Sequence, residues 1–302
     1  MTRATVRAAA TSANLGPGFD CLGLALDLHN TVTIVATSRP TQPIVTVRGE
    51  GNDRLPRGDR NLALRAAQRV LRATGASLFV ERVTLDNAIP VGGGLGSSAA
   101  AIVGGMVAAN RLCGDPLSRE DVLRLALELE PHPDNLAPAL YGGFTVAVLA
   151  ADGHPLVAAL PPPRGLRAAV LTPALSVSTR QSRAALPRTV PHADAAYTVG
   201  RAALLVAALL TDRHDLIGAA MDDRLHQPYR VGATPAIQAV MAAALAAGAS
   251  GAALSGSGPS ILALCAGPTA PIAAAMGAAA LAAGLASVVR ELDIVGTGAM
   301  II

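Results

Sequence analysis

Residues 89–101 read IPVGGGLGSSAAA, in which four glycines fall within five positions and are followed by two serines and three alanines. A helix N-terminus presents unpaired backbone N–H groups and a partial positive charge. Glycines without Cβ atoms allow a bulky anion to approach the backbone and permit positive φ angles. The stretch therefore predicts a phosphate-binding turn that opens a helix, although a plain glycine-rich turn before a packed helix would have the same sequence.

The segments around this turn form predicted strands and helices whose order indicates an α+β chain. Strands are predicted from β-branched or alternating apolar runs, and helices from apolar residues three or four apart. Three prolines at 161–163 lie between the halves, and we place the division near residue 155. The second half carries a split βαβ pattern. Strands are predicted at 4–8, 31–37, 44–48, 78–85, 144–150, 166–172, 251–254, 261–265 and near the C-terminal end, and helices at 62–74, 97–113, 118–130, 195–210, 235–247 and 271–283.

The chain contains no lysine, so all 24 of its basic residues are arginines. A Walker P-loop needs a lysine at the outer phosphates, and a protein kinase needs a strand lysine paired with a helix glutamate. Both classes are therefore excluded. A dinucleotide fingerprint G-x-G-x-x-A matches Gly94, Gly96 and Ala99, but a Rossmann fold places that loop after its first strand, whereas several strands precede it here. The G-x-S-x-G pattern of serine hydrolases does not occur.

Charge and composition bear on the partners of the protein. The net charge is +3 with scattered basic residues, and three Phe, three Tyr and no Trp offer few platforms for base stacking, so nucleic-acid binding is not expected. Three widely spaced cysteines in apolar surroundings indicate buried thiols of a reducing compartment. The longest apolar run, near 202–210, is shorter than a membrane span. We expect a cytoplasmic protein without a membrane partner.

Three stretches in this order resemble the GHMP kinase family: TSANLGPGFDCLGLAL at 11–26, PVGGGLGSSAAA at 90–101 and LSGSGPSILAL at 254–264. EPHPDNLAPALYGG at 130–143, STRQSRAALP at 178–187 and LHQPYR at 225–230 are similar to its homoserine kinase branch. The resemblance covers almost the whole chain. It implies an α+β GHMP kinase fold, in which an N-terminal ribosomal-S5-like α/β domain, residues 1–155, packs on a C-terminal ferredoxin-like split βαβ domain, residues 156–302. It also implies a homodimer.

The resemblance implies an ATP-dependent kinase whose glycine loop wraps the ATP phosphates. Ser98 and Glu130 would hold Mg²⁺, a hard cation that takes one or two protein carboxylates and bridges phosphates. Without the resemblance, Glu130 would be an exposed helix end and Asn61, implied to lie near the adenine, a helix cap. The nucleotide site implied in this way consists of Asn61, Pro90, Gly92, Gly93, Gly94, Leu95, Gly96, Ser97 and Ser98.

The acceptor implied by the resemblance is L-homoserine, an amino acid with a terminal hydroxyl. Arg183 and Arg230 suit its carboxylate, because a guanidinium meets a carboxylate in a two-pronged geometry. Amide, imidazole and carboxylate side chains suit its ammonium or orient its hydroxyl. Without the resemblance, the two arginines would be ordinary surface charges and His132 a loop residue. The implied acceptor pocket consists of Asn14, Asp20, His132, Asp134, Thr179, Arg183 and Arg230.

The sequence departs from the family pattern beside the implied metal ligand, where Pro131 follows Glu130 in place of the usual glycine. Gly93 stands where relatives often carry a larger or basic residue, and Gln227 where glutamate is common. Some GHMP kinases use an aspartate base, but the homoserine branch has asparagine there, matching Asn135. We therefore assign catalysis to Asn135, Ser98 and Glu130 through alignment and charge neutralisation. Alternatives are a kinase for another small hydroxylated amino acid, or a GHMP-fold protein that binds ligand without catalysis.

Overall fold

Two β-sheets with covering helices form the computed structural model of the chain, which describes residues 3–175, 179–231 and 235–302. The described strands are β1 Arg3–Ala13, β2 Leu22–Thr37, β3 Ile44–Gly49, β4 Phe79–Asn87, β5 Phe144–Leu149, β6 Pro155–Leu160, β7 Arg167–Pro173, β8 Gly251–Leu254, β9 Ile261–Cys265, β10 Ser287–Asp293 and β11 Met300–Ile301. The described helices are α1 Leu62–Ala73, α2 Ser97–Leu112, α3 Arg119–Leu127, α4 Pro133–Tyr141, α5 Thr179–Ala184, α6 His192–Leu210, α7 His214–Ala220, α8 Gln227–Val231, α9 Pro235–Ala246 and α10 Thr269–Ala282.

The first sheet has seven strands in the order β11-β1-β2-β4-β3, with β5 pairing with both β2 and β6. Its pairs are antiparallel except β3 with β4, where Ile44 lies opposite Arg82 in a parallel register. The apolar sides of α1, α2 and α4 pack in the same core as these strands. This core contains almost no aromatic side chains, and its volume is filled by Ala, Leu, Val and Ile.

The second sheet is fully antiparallel in the order β10-β7-β9-β8. The chain order strand, helices, two strands, helix and strand gives the split βαβ pattern, and α9 and α10 pack on this sheet in a separate small core. The α+β class and the ferredoxin-like second half are therefore confirmed. The division near residue 155 stays a prediction. Because β6, at 155–160, pairs within the first sheet, the strand pairing favours a boundary within 161–163. Strand β11, near the C-terminal end, also pairs within the first sheet.

Local sequence signals explain where the helices near the site begin. Asn61 caps α1 by accepting hydrogen bonds from the N–H groups of Ala63 and Leu64. Ser118 and Asp121 form a reciprocal capping box at the start of α3. That helix ends at Leu127 rather than at residue 130, which leaves Glu130 in the connection to α4.

Helix α6 begins three residues before the predicted start, at His192. With 19 residues and a mean hydropathy of 1.4, it is the one helix among the described residues whose length and composition would allow a membrane span. It differs in this respect from the short run expected from the sequence. Its buried side, with Leu205, Ala208 and Leu209, packs in the large core that contains residues of both sheets.

Candidate active site

A cavity of about 790 Å³ opens between the two sheets, where several turns and helix ends meet. The turn between β1 and β2, the glycine loop before α2, the connection from α3 to α4, α5, α8 and the turn between β8 and β9 all contribute lining residues. Segments far apart in the sequence therefore place polar side chains around one space. Such a concave site with convergent polar groups is the usual form of a small-molecule pocket.

The glycine loop follows a backbone path that excludes side chains at two positions. Gly94 and Gly96 adopt φ angles of 81° and 67°. A Cβ at Gly94 would collide with the carbonyl oxygens of Ser255 and Gly258, and a Cβ at Gly96 would collide with the hydroxyl of Thr11. The Ser255 hydroxyl also donates to the Gly94 carbonyl at 2.6 Å. The third motif, at 254–264, thus packs behind the loop and holds it against the cavity.

Helix α2 directs its N-terminus at this cavity. Gly96 is the N-cap residue and supplies no capping side chain, and the first intrahelical bond runs from the Ala100 N–H to the Gly96 carbonyl. The N–H groups of Ser97, Ser98 and Ala99 precede that bond, so they face outward from the helix end. Ser97 and Ser98 line the cavity. This helix end has the geometry and partial charge to bind a phosphate.

Ser98 and Glu130 lie side by side in the cavity wall. The Ser98 hydroxyl donates to Glu130 Oε2 at 2.6 Å. Burial raises the pKa of Glu130, and the hydrogen bond from Ser98 acts in the opposite direction. A carboxylate and a hydroxyl beside a phosphate-binding helix end are a donor set that suits Mg²⁺. Within the described residues, no group of three or more His, Cys, Asp and Glu side chains could hold a metal ion alone, so phosphate oxygens would have to complete this one.

The two predicted arginines meet at another part of the cavity. Arg183 on α5 forms an ion pair with Asp20 at 2.5 Å, and both guanidiniums lie over the ring of Phe19, at 5.2 Å for Arg183 and 5.4 Å for Arg230. Arg230 contacts His226 Nδ1 and the Gly256 carbonyl, and within the described residues it has no carboxylate partner. Burial and the neighbouring charge of Arg183 lower the pKa of Arg230. The Nε atoms of both arginines are buried without a hydrogen-bond partner.

Asp134 and Asn135 start helix α4 next to these cations. Burial raises the pKa of Asp134 to about 7, and the negative charges of Asp20 and Glu130 add to this effect. The Thr11 hydroxyl donates to Asn135 Oδ1 at 2.7 Å and fixes the orientation of the amide. Burial and the positive charge of Arg183 lower the pKa of His132, which directly precedes this helix. The charge of Arg183 acts in the opposite direction on the pKa of Asp134, but Asp134 forms no ion pair among the described residues. This wall therefore presents one fixed amide and one buried carboxyl group without an ion-pair partner in the described part of the chain.

Asn14 closes the turn that carries Asp20. Its Oδ1 accepts the Asp20 N–H at 2.9 Å and its Nδ2 donates to the Gly256 carbonyl at 2.8 Å. Asn14 and Asp20 both adopt positive φ angles, 68° and 58°, which asparagine and aspartate tolerate better than most residues. Asn14 thus joins the first motif to the third, and it positions Asp20.

The remaining wall of the cavity is mostly apolar. Asn61 lies there, but its side chain caps α1 and also donates to the Pro56 carbonyl at 2.9 Å. The helix-cap alternative therefore describes its contacts, while its edge still lines the cavity. The apolar lining consists of Leu55, Pro56, Leu62, Leu85, Pro90, Val91, Ala101 and Leu129.

The structure brings most of the predicted site residues to one cavity. Gly93 and Leu95 do not line it: Gly93 accepts the Ser260 N–H at 3.1 Å, and Leu95 is fully buried and accepts the Thr11 N–H at 3.1 Å. Thr179 starts α5, and its side chain lies outside the described part of the structure. The predicted residues that line the cavity are Asn14, Asp20, Asn61, Pro90, Gly92, Gly94, Gly96, Ser97, Ser98, Glu130, His132, Asp134, Asn135, Arg183 and Arg230.

Sequence reasoning missed four residues that shape the site without lining the cavity: Thr11, Phe19, Asp223 and His226. Thr11 and Phe19 belong to the first motif, and His226 belongs to LHQPYR. The motifs thus contained the signal, but a threonine, a phenylalanine and a histidine have no spacing rule that assigns them to a contact. Asp223 precedes that motif and was marked by nothing in the sequence.

Family models match both halves of the chain. A GHMP kinases N terminal domain matches residues 61–143, and a GHMP kinases C terminal domain matches residues 205–282. Homoserine kinase of Moorella thermoacetica is 43% identical over 298 residues, which cover 98% of this chain and 99% of that protein. Homoserine kinase of Gloeobacter violaceus is 46% identical over 267 residues, or 86% of each chain.

Solved structures give the same relationship. The crystal structure of homoserine kinase from Cytophaga hutchinsonii matches with a TM-score of 0.90 and 33% identity, covering 100% of this chain and 98% of that one. Mevalonate kinase of L. major, at 15% identity and a TM-score of 0.71 over 97% of this chain and 96% of that one, shares the fold.

Proposed function

This chain belongs to the GHMP kinase family, and from that premise we propose that it transfers the γ-phosphate of ATP to the side-chain hydroxyl of L-homoserine. The product is O-phospho-L-homoserine, an intermediate on the route to threonine. Homoserine kinases that align with nearly the full length of the chain support this acceptor. The structural observation that carries the proposal is Arg230, a half-buried cation in the cavity without a carboxylate partner among the described residues.

The charges around Arg230 favour an acceptor with a free carboxylate. Asp20 pairs directly with Arg183, and the positive charge of Arg183 disfavours the charged form of Arg230. A buried cation without an anion is costly, so a ligand carboxylate would complete the pair. Asp134, whose carboxyl forms no ion pair among the described residues, would take the ammonium of the same molecule.

The donor set at the start of α2 supports ATP and Mg²⁺. We propose that Ser98 and Glu130 hold Mg²⁺ together with phosphate oxygens, while the N–H groups at the start of α2 bind the phosphates. When bound, the metal neutralises phosphate charge, which suits a loose phosphoryl-transfer transition state. The apolar wall would take the nucleoside, with Asn61 at its edge.

In this proposal, Asn135 helps to align the acceptor hydroxyl with the phosphate and does not act as a base. An amide does not accept a proton at neutral pH, and its Oδ1 is already occupied by the Thr11 hydroxyl. Its Nδ2 lies 3.4 Å from Asp134 Oδ1, which ties the amide to the proposed ammonium site. The rate would then come from holding hydroxyl and phosphate in line and from charge neutralisation.

Alanine substitution of either arginine tests the acceptor site. Loss of a charge-assisted pair to a buried carboxylate costs about 2 to 5 kcal/mol. Arg230→Ala and Arg183→Ala should therefore raise the homoserine KM about 30-fold or more and leave the ATP KM within about threefold. Steady-state kinetics against both substrates measures this.

Arg224→Ala is the matched control, because Arg224 stacks on Tyr197 and pairs with Asp194 but does not line the cavity. Both its KM values should stay close to those of the parent. Loss of ATP affinity with homoserine affinity intact in the two cavity variants would assign these arginines to phosphate and overturn the proposed acceptor site.

We also propose a cytoplasmic homodimer. The exposed face of α6, where Val199 and Leu210 are 68% and 52% exposed, is apolar surface that a second subunit could cover. Light scattering should give twice the chain mass of 30.2 kDa. A monomer mass at micromolar concentration would contradict the dimer.

A further inference from the structure

His226 is a buried histidine whose side chain contacts Phe19 and Arg230 at the acceptor site and also the Gly16 carbonyl and Asp223. It has no exposed surface, and its ring stacks on Phe19 at a centroid distance of 5.1 Å. Phe19 is the same ring over which both arginine guanidiniums lie. His226 therefore supports the two cations from behind without lining the cavity itself.

The partners of the imidazole define its tautomer. Nε2 lies 2.6 Å from the Gly16 carbonyl oxygen, which only accepts hydrogen bonds, so Nε2 carries the proton. Nδ1 lies 3.2 Å from Arg230 Nη1, which only donates, so Nδ1 presents its lone pair. Both contacts are satisfied together only by the neutral ring protonated at Nε2.

The surroundings of the ring favour this neutral form. Burial lowers the pKa of His226, and the positive charge of Arg230 lowers it further, while Asp223, with Oδ2 at 3.5 Å from Nε2, and the more distant Asp20 act in the opposite direction. Asp223 is itself engaged by the backbone N–H groups of residues 225, 226 and 227, whose bonds fix the start of α8.

We infer that His226 is a positioning residue for the acceptor site: through its Nδ1 lone pair it holds the Arg230 guanidinium over Phe19, in the orientation that receives the acceptor carboxylate. This inference rests on the proposed function. A guanidinium on a flexible side chain loses rotamer freedom when it binds a carboxylate. Because the Nδ1 lone pair already orders the Arg230 guanidinium in the free protein, substrate binding does not have to bear that entropy loss. Protonation at Nδ1 would remove the lone pair and place a positive charge against Arg230.

Two amide substitutions separate the two ring nitrogens. The Oδ1 of asparagine can occupy the place of Nδ1 and accept from Arg230, whereas the Nε2 of glutamine can occupy the place of the ring Nε2 and donate to Gly16. His226→Asn should keep the homoserine KM within about threefold of the parent, and His226→Gln should raise it about tenfold or more. In both variants, kcat and the ATP KM should stay within about threefold, since the hydroxyl and phosphates are not touched.

His214→Asn is the matched control, because His214 also contacts a backbone carbonyl through Nε2, that of Arg164 at 3.0 Å, but does not line or support the cavity. It should leave every constant unchanged. Equal KM increases in the asparagine and glutamine variants, or losses in kcat alone, would overturn the inference. Absence of homoserine phosphorylation by the unsubstituted enzyme would instead overturn the proposed function.

A measurement on the unsubstituted enzyme keeps the inference testable if either variant does not fold. Long-range ¹H–¹⁵N spectra of histidine-labelled protein at pH 7 distinguish the imidazole tautomers. His226 should show the neutral form protonated at Nε2. A ring protonated at Nδ1, or at both nitrogens, has no lone pair for Arg230 and would overturn the inference.

Discussion

At the residue scale, a few charged side chains in the cavity have no ion-pair partner among the described residues. Arg230 has no carboxylate partner among the described residues, and Glu130 has only the Ser98 hydroxyl beside it. Asp134 is held in a buried position by the start of α4. Each of these side chains predicts the ligand group that would bind to it: a carboxylate at Arg230, a metal bound to phosphate at Glu130 and an ammonium at Asp134.

Glu130→Gln tests the proposed metal ligand. The substitution keeps the side-chain shape but removes the charge that would hold Mg²⁺, so kcat should fall about 100-fold or more while homoserine binding stays nearly unchanged. Turnover at saturating Mg²⁺ and homoserine binding by calorimetry measure the two effects.

Glu128→Gln is the matched control. Glu128 lies two positions before Glu130, pairs with Arg69 and does not line the cavity. This variant should keep near-normal turnover. Near-normal turnover of Glu130→Gln would show that Glu130 is not a metal ligand. Equal losses of turnover in both variants would point to a general effect on the segment before Pro131.

Asp134 gives the unliganded protein a predictable pH dependence. Because its pKa is raised to about 7, the folded protein binds a proton that the unfolded chain releases near the usual aspartate value of about 4. Stability from this group is therefore complete below about pH 4 and is lost as pH rises through about 7, by up to about 4 kcal/mol.

Asp134→Asn should remove that loss, so the variant should become more stable relative to the parent as pH rises from about 5 to 8. Denaturant unfolding without substrate or Mg²⁺ measures the difference. A constant difference between the two proteins across this range would show that Asp134 is ionised throughout. The same variant should bind homoserine poorly, because the site for the ammonium has lost its charge.

At the scale of elements, sequence patterns predicted most helices and strands but misjudged those with unusual burial or proline content. The predicted strand at 4–8 is the middle of the 11-residue β1, whose last six residues are all buried and so lack the alternation that marks a half-exposed strand. Helix α4 was missed because its prolines suggest a loop, yet Pro133 occupies the tolerated first turn. Its second proline, Pro138, lies inside the helix.

Most residues predicted for the candidate site line one cavity, while the roles assigned to them stay predictions. The glycine loop was identified from its own chemistry, because a phosphate at a helix N-terminus needs a backbone without side chains. Glu130 and the two arginines were implied by the resemblance to GHMP kinases, and their residue types suit a metal and a carboxylate. Asn61 shows the limit of this reasoning, because asparagine is a suitable residue both for a helix cap and for a nucleotide contact. Phe19 and His226 could not be assigned from sequence, because their roles depend on contacts between residues about 200 positions apart.

At the scale of the whole molecule, the cavity lies where two sheets meet, and buried residues of both sheets share the large core. The other face of the second sheet packs with α9 and α10 in a separate small core. The first sheet supplies the glycine loop and α4, while Arg183 on α5 and Arg230 on α8 come from the segment between β7 and β8. The turn between β8 and β9 locks both parts together through Ser255 and Gly256, which contact Gly94 and Asn14. The phosphate and acceptor sites are thus built by different parts of the chain, so phosphoryl transfer requires that both parts hold their positions around one cavity.

The most direct test of this account is identification of the product by ³¹P NMR when the protein is incubated with ATP, Mg²⁺ and a panel of hydroxylated acceptors. The account predicts one O-phospho-L-homoserine per ADP formed, with a higher kcat/KM for L-homoserine than for amino alcohols that lack the carboxylate or for other hydroxylated amino acids. ATP consumption without O-phosphohomoserine, or faster phosphorylation of an acceptor without a carboxylate, would contradict it.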